Sequence, residues 1–230
     1  MQGSSAPSTS ALEFFPGLSR IGFVRHGFIG RIPGIDVATD RASALQRLDA
    51  SHRSVRGELD LARAPLVTAQ QVHGDQIAVV DQPLRSDHEF AGTDALVTTL
   101  SDVSLGIYVA DCCAVFLVDP IRRAIGLAHS GRKGTELNIV RRTIETMRDR
   151  IGTTPAELIV QLSPCIRPPH YEVDFAAEIV RQARAAGVVE VQDCGVCTAC
   201  DLSRYYSYRA EKARTGRMLA LLALNNGLSH

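Results

Sequence analysis

The chain has 230 residues, 45% of them hydrophobic, and its 25 lysines and arginines balance 25 aspartates and glutamates. Such a chain can bury roughly 70–75% of its extended surface in a core, which excludes a largely disordered protein. Zero net charge gives no broad field to draw in nucleic acid or an acidic membrane, so any anion must be met by a local site.

The first residues, MQGSSAPSTSA, carry neither a cationic region nor an apolar stretch. They read as a frayed, disordered tail over residues 1–13 rather than a secretory signal, leaving 14–230 as a single domain. No apolar run approaches the roughly 18 residues of a membrane-spanning helix. The expectation is a cytoplasmic protein with no membrane and no nucleic-acid partner, its six cysteines reduced and open to metal or catalytic use. Residues 36–63 are polar and charged and read as a loop or short surface helix. From Pro65 onward β-rich runs follow one another: PLVTAQQV, QIAVV, DALVTT, SLGIYVA, AVFLVD and AIGLAH, with Asp119 to Arg123 reading as a hairpin turn. A helix follows, with Leu137, Val140, Ile144, Met147 and Ile151 on one face and Gly152 and Pro155 at its end. ELIVQL is a buried strand. Asp174 then caps a helix that turns Phe175, Ile179 and Ala183 inward and stops at Gly187. The pattern predicts a last helix over 209–224. Together these elements predict an α+β fold with a mixed sheet covered by helices.

Three motifs put strong ligands at strand ends, where a rigid scaffold can deliver them to one place. Q-V-H-G carries His73, A-D-C carries Cys112, and A-H-S-G-R-K-G-T carries His129. Two imidazoles and a thiolate suit tetrahedral zinc with one open position, the arrangement of a catalytic rather than a structural site. A buried Cys and isolated His residues serve as ordinary core groups just as readily, and distant ligands have no diagnostic spacing. After His129, glycines, Arg132, Lys133 and a helix start suggest a phosphate cradle, against the alternative of a plain strand-to-helix turn. Cys194, Cys197 and Cys200 form C-x-x-C-x-x-C, a candidate structural zinc site with Cys165 or Asp201 as fourth ligand. Cys113 reads as core packing, and His26 as structural or catalytic in equal measure.

The segments H-G-F-I-G-R (26–31), Q-V-H-G (71–74), D-A-L-V-T (94–98), A-D-C (110–112), A-H-S-G-R-K-G-T (128–135), Y-E-V (171–173), C-T (197–198) and Y-S-Y-R with T-G-R-M (206–218) occur in this order. The ordered set resembles the laccase-domain family, also called multicopper polyphenol oxidases, whose bacterial members act on purine nucleosides. The resemblance implies a sandwich of two mixed β-sheets flanked by helices, spanning 14–230 as a laccase-like catalytic domain. It implies a zinc-binding catalytic site at His73, Cys112 and His129. It also implies phosphorolysis of purine nucleosides, methylthioadenosine included, by inorganic phosphate, with adenosine deamination as a second activity. Arg31 and Arg209 fall in family motifs and join Arg132 and Lys133 as candidate phosphate-binding residues, while Asp111 is a candidate for orienting a ligand or moving a proton and Tyr208 reads as packing. Three departures stand out. Arg132 replaces the family's Trp after A-H-x-G, the S-L-N-L-G stretch is missing before Q-V-H-G, and the chain runs from Val173 directly into the Asp174 helix.

Three other functions fit some of these residues. His₂Cys also suits copper, making copper the alternative metal and a laccase the alternative enzyme. However, none of the seven histidines lies two residues from another, as a three-copper cluster fed by His-x-His pairs requires. Cys112 with His129 or His73 as base would give a metal-free cysteine hydrolase or amidase. A non-catalytic nucleoside-binding protein is the third. Oligomeric state is left open by the sequence.

Overall fold

In a computed structural model describing residues 11–225, twelve strands form two six-stranded sheets. The first runs in the order β1 (Leu12–Glu13), β2 (Val24–Ile29), β12 (Met218–Leu224), β7 (Ser104–Val109), β3 (Leu66–Ala69) and β5 (His88–Phe90). The second runs β11 (Glu190–Asp193), β10 (Ile159–Leu162), β8 (Cys113–Asp119), β9 (Ala124–Ser130), β6 (Ala95–Thr98) and β4 (Ile77–Val80). Both sheets are mixed: β3 pairs parallel with β5 and β7, β4 with β6, and β10 with β11, while the remaining neighbours are antiparallel. This is the α+β sandwich the motifs implied. Leu12 and Glu13, placed in the tail by sequence, pair with Ile29 and Phe28. Residues 1–10 of that tail lie outside the described residues.

The central strands read as unbroken apolar runs because both their faces are covered. Along β8, Ala114, Phe116 and Val118 enter the core between the sheets, while Cys113, Val115 and Leu117 enter the core beneath the helices. Those helices are α4 (Ile139–Ile151) and α5 (Phe175–Ala185), which contribute Ile144, Met147, Ile179 and Ala183. Each such side chain stabilises the fold by roughly 1.5–3 kcal/mol on full burial. Gly152 ends α4 in the left-handed region (φ 82°), and the Asp174 carboxylate caps α5 by accepting from the Ala177 amide. A short α3 (Arg132–Glu136) precedes α4, separated from it by left-handed Asn138.

Two expectations are corrected. After the four-residue α1 (Pro16–Ser19), residues 36–63 hold an 18-residue helix, α2 (Arg41–Glu58), capped by Asp40 through the Ser43 amide. Its buried positions are Ala44, Leu48, His52 and Arg56, so half of the buried stripe is polar and the apolar periodicity is faint. The predicted helix over 209–224 is instead a series of turns followed by β12. MLALLAL is made of good helix formers, but it lies between β2 and β7 with every residue buried, and pairing at both edges overrides local propensity.

Candidate metal centre

The β8–β9 hairpin holds two of the three ligands by register. Ala114 pairs with His129 and Cys113 with Ser130, so Cys112, one residue beyond the last pair, lies beside Gly131. The fit is tight: a Cβ on Gly131 would come within 2.4 Å of the Cys112 Sγ. His73 arrives from the turn after β3, where Gln71 and His73 both adopt left-handed backbone (φ 64° and 61°), a costly conformation for residues with a Cβ. Asp94, fully buried just before β6, holds that turn: its carboxylate accepts from the amides of Val72 (3.2 Å), His73 (2.9 Å) and Gly74 (2.7 Å). The same carboxylate accepts from His129 Nδ1 at 2.8 Å, which fixes the ring and leaves Nε2 as its free ligand atom.

One ligand atom each from His73, Cys112 and His129 lies within 4.8 Å of the other two, and no other such group of three occurs among the described residues. Cys112 Sγ is 4.0 Å from His73 Nε2, and the two imidazoles meet edge to face with centroids 4.9 Å apart. The set fits a metal: the atoms need draw in by only about an ångström to reach tetrahedral zinc distances. Burial pushes the Cys112 thiol up, but His129 and His73 outweigh it and bring it down to about 6. Burial likewise works against a charge on His129, yet the Cys112 thiolate and the hydrogen bond to Asp94 raise it to about 9. Without a metal the site therefore carries a thiolate beside a protonated imidazole, the pair a nucleophile needs, and a bound ion would displace the proton from His129 Nε2 while keeping the thiolate.

His73 and Cys112 open onto a cavity of about 600 Å³, within the usual range for small-molecule sites. Tyr171, Phe175 and Tyr208 supply aromatic wall, and Arg132, Arg209 and Lys212 supply charge. Arg209 and Arg132 share Glu172, at 2.7 and 3.7 Å, and Arg132 also bonds Glu136 at 3.0 Å. Of the four cations expected at phosphate, then, two line this cavity. Lys133 is exposed and outside its lining, and Arg31 sits elsewhere, paired with Glu211 at 2.7 Å over the Tyr206 ring. Asp111 lines the cavity with both oxygens occupied, accepting from Thr198 Oγ1 and the Arg209 amide, each at 2.7 Å, and so positions the wall. His26 is structural: its Nε2 accepts from the Phe15 amide at 2.9 Å, and burial lowers it to about 4.

The C-x-x-C-x-x-C expectation fails. Cys194, Cys197 and Cys200 are free and do not converge as a metal group, nor does Cys165 or Asp201 join them. Burial pushes Cys194 up to about 11. Cys113 is fully buried packing, as expected. Sequence reading missed Asp94, although its signal was present as an acid opening the buried run D-A-L-V-T. It also missed Tyr171, Phe175 and Lys212, whose convergence depends on the fold.

Fold and site together define an α+β sandwich with a candidate His₂Cys metal centre facing a small-molecule cavity. The family model for multi-copper polyphenol oxidoreductase laccase matches residues 29–178 and 170–225, so the chain belongs to that family. A purine nucleoside phosphorylase of Deinococcus radiodurans is 30% identical, with 87% of this chain and 89% of that protein covered. Purine nucleoside phosphorylase ORF3 of Streptomyces griseus is 28% identical, with 76% and 81% covered. Among solved structures, Bacillus licheniformis hypothetical protein YfiH superposes with a TM-score of 0.81 at 22% identity, covering 95% of this chain and 98% of that one. YlmD from Geobacillus stearothermophilus gives 0.77 at 22%, covering 94% and 100%. No helix of the described residues is long and apolar enough to cross a membrane.

Proposed function

We propose that the chain is a zinc-dependent purine nucleoside phosphorylase acting on adenosine, inosine and methylthioadenosine, with adenosine deamination as a second activity. The observation that carries this reading is the His73–Cys112–His129 group, whose His73 and Cys112 open onto an aromatic-lined cavity of about 600 Å³. The names of the Deinococcus and Streptomyces relatives support the substrate class. In the reaction a phosphate oxygen bonds to the ribose C1′ as the C1′–N9 bond breaks; the electron pair leaves with the purine, which takes up the proton that phosphate gives up. Tyr171, Phe175 and Tyr208 offer ring faces for the purine. Arg132 and Arg209 stand in the same lining, each paired with a glutamate. His73, Cys112 and His129 would hold the zinc, and Asp94 keeps His129 in the tautomer that presents Nε2. Bound zinc would supply Lewis-acid polarisation of a substrate oxygen or of water. Copper is the alternative ion for the same donor set. The proposed setting is cytoplasmic.

Phosphate-dependent release of base from a nucleoside panel tests the reading, with metal content measured in parallel. Cys112→Ala is expected to fold, to lose its metal and to lose turnover. Full turnover by metal-free Cys112→Ala would end the proposal. One observation favours a second reading: a thiol lowered to about 6 beside an imidazole raised to about 9 resembles a cysteine-hydrolase pair. A chelator stops the phosphorylase; a hydrolase survives it and yields only to thiol alkylation.

A further inference from the structure

The triad also borders a second, smaller recess of about 80 Å³, which shares His73, Ala110 and Cys112 with the large cavity. Its other walls are Gln71, Tyr108, Arg41 and Arg217. The volume equals roughly two to three waters' share of liquid, too little for a nucleoside and enough for one small ion. Gln71 is spent on the wall itself: its amide donates to the Tyr108 carbonyl (2.5 Å) and accepts from the Tyr108 amide (3.0 Å). The two guanidinium groups remain as the strong donors.

Their surroundings differ from those of the other arginines near the centre. Arg132 and Arg209 are answered by Glu136 and Glu172. No carboxylate lines the recess, and among the described residues none forms an ion pair with Arg41 or Arg217. Arg41 donates to the Gln70 carbonyl (3.2 Å), and Arg217 uses one nitrogen on the carbonyls of Thr215 (3.0 Å) and Gly216 (2.8 Å). Arg217 is half-buried, and burial together with the neighbouring Arg41 charge holds its guanidinium below the ordinary value. The Cys112 thiolate in the same lining and nearby Asp111 offset part of this repulsion; a metal ion on Cys112 would take up the thiolate's share, leaving the two guanidinium groups to favour an oxyanion.

We infer that this recess is a subsite for a tetrahedral oxyanion, inorganic phosphate in the proposed reaction, held by Arg41 and Arg217 beside the triad while the nucleoside occupies the larger cavity. The assignment rests on the phosphorolysis reading for the ion's identity. It places the attacking phosphate and the ribose on two recesses joined through His73 and Cys112, and it assigns Arg132 and Arg209 to the cavity rather than to phosphate.

The test is calorimetric titration of metal-loaded protein with inorganic phosphate, paired with phosphorolysis at varied phosphate and varied nucleoside. Variants are Arg41→Gln and Arg217→Lys, with Arg141→Gln on distant α4 as control. Arg41 is exposed and gives up one hydrogen bond, so its variant keeps the fold, which metal content and circular dichroism check. Each recess variant should raise the phosphate Kd and the phosphate KM by about tenfold or more, as expected for a lost charge-assisted or bidentate contact, and leave the nucleoside KM unchanged. Phosphorolysis that continues with an unaltered phosphate KM in both variants overturns the subsite and leaves the function standing. Phosphate binding that is lost in Arg41→Gln, from a wild type without phosphorolysis, upholds the subsite and sinks the function. A wild type that binds no phosphate overturns the subsite outright.

Discussion

Two cysteine-bearing regions lie within one chain and behave oppositely. Cys112 follows no local ligand pattern, yet two imidazoles from distant segments reach it and bring its thiol to about 6. Cys194, Cys197 and Cys200 follow a metal-like spacing, yet among the described residues no three ligand atoms converge there; burial pushes Cys194 up to about 11, and a hydrogen bond from Cys197 pushes Cys200 up. What separates the regions is Asp94, a buried carboxylate that holds three amides and one imidazole at once and so fixes two arriving segments against each other. Convergence on a rigid anchor, rather than spacing, makes a thiol chemically useful here.

The largest effect expected from this contrast is in reactivity. In metal-stripped protein at pH 7, Cys112 should react with iodoacetamide roughly 10²-fold faster than Cys194, because its greater thiolate fraction outweighs its lower intrinsic nucleophilicity. Its rate should climb as pH rises through about 6 and then level off, whereas Cys194 should still be accelerating above pH 9; peptide mapping after timed alkylation reads both. Equal rates would erase the distinction. Next comes the anchor. Asp94→Asn should weaken metal binding by about 10- to 100-fold, measured by competition with a chelating dye, while Cys194→Ala leaves it unchanged.

The smallest effect sharpens the same contrast among histidines. His26 and His52 are buried, and burial lowers each to about 4, whereas His129, with a thiolate and a carboxylate beside it, is raised. The first two stay neutral in the folded chain while the unfolded chain takes up protons below pH 6.5, so stability falls as pH drops from 6.5 toward 4. Between pH 7 and 5.5 each should cost about 1 kcal/mol in urea unfolding, and His52→Leu should remove that residue's share of the slope. A flat profile would show that both rings are already solvated.

Much of the fold was legible because its strands are short apolar runs with turn residues between them, and the β8–β9 hairpin was visible at Asp119–Arg123. What failed did so for physical reasons. In β12, MLALLAL is buried on both faces, and without alternation a strand and a core helix look alike. In α2, His52 and Arg56 occupy buried positions where a pattern reader expects leucines. The triad could be picked out as ligand-type residues at strand ends, and the ordered motifs made it specific; spacing alone does not join residues 73, 112 and 129. Arg41 and Arg217 stand at opposite ends of the chain, and only the position of β12 beside β7 brings them to one recess. The missing Trp after A-H-x-G leaves Arg132 in the cavity wall, a change of lining that does not disturb the ligand atoms.

The β8–β9 hairpin acts as a spacer with unequal ends. Seven residue pairs separate its closed turn from the thiol, and the imidazole sits in the sixth of them, about 15–20 Å of ladder at strand rise. Extra residues inserted at Ile121 or Arg122 would extend the tip without shifting a single pair, whereas one residue added between the turn and the ligand would turn Cys112, if placed in β8, or His129, if placed in β9, to the opposite face. The far tip is therefore a safe handle for a label or graft, and length changes along the arms are tolerable only in matched pairs.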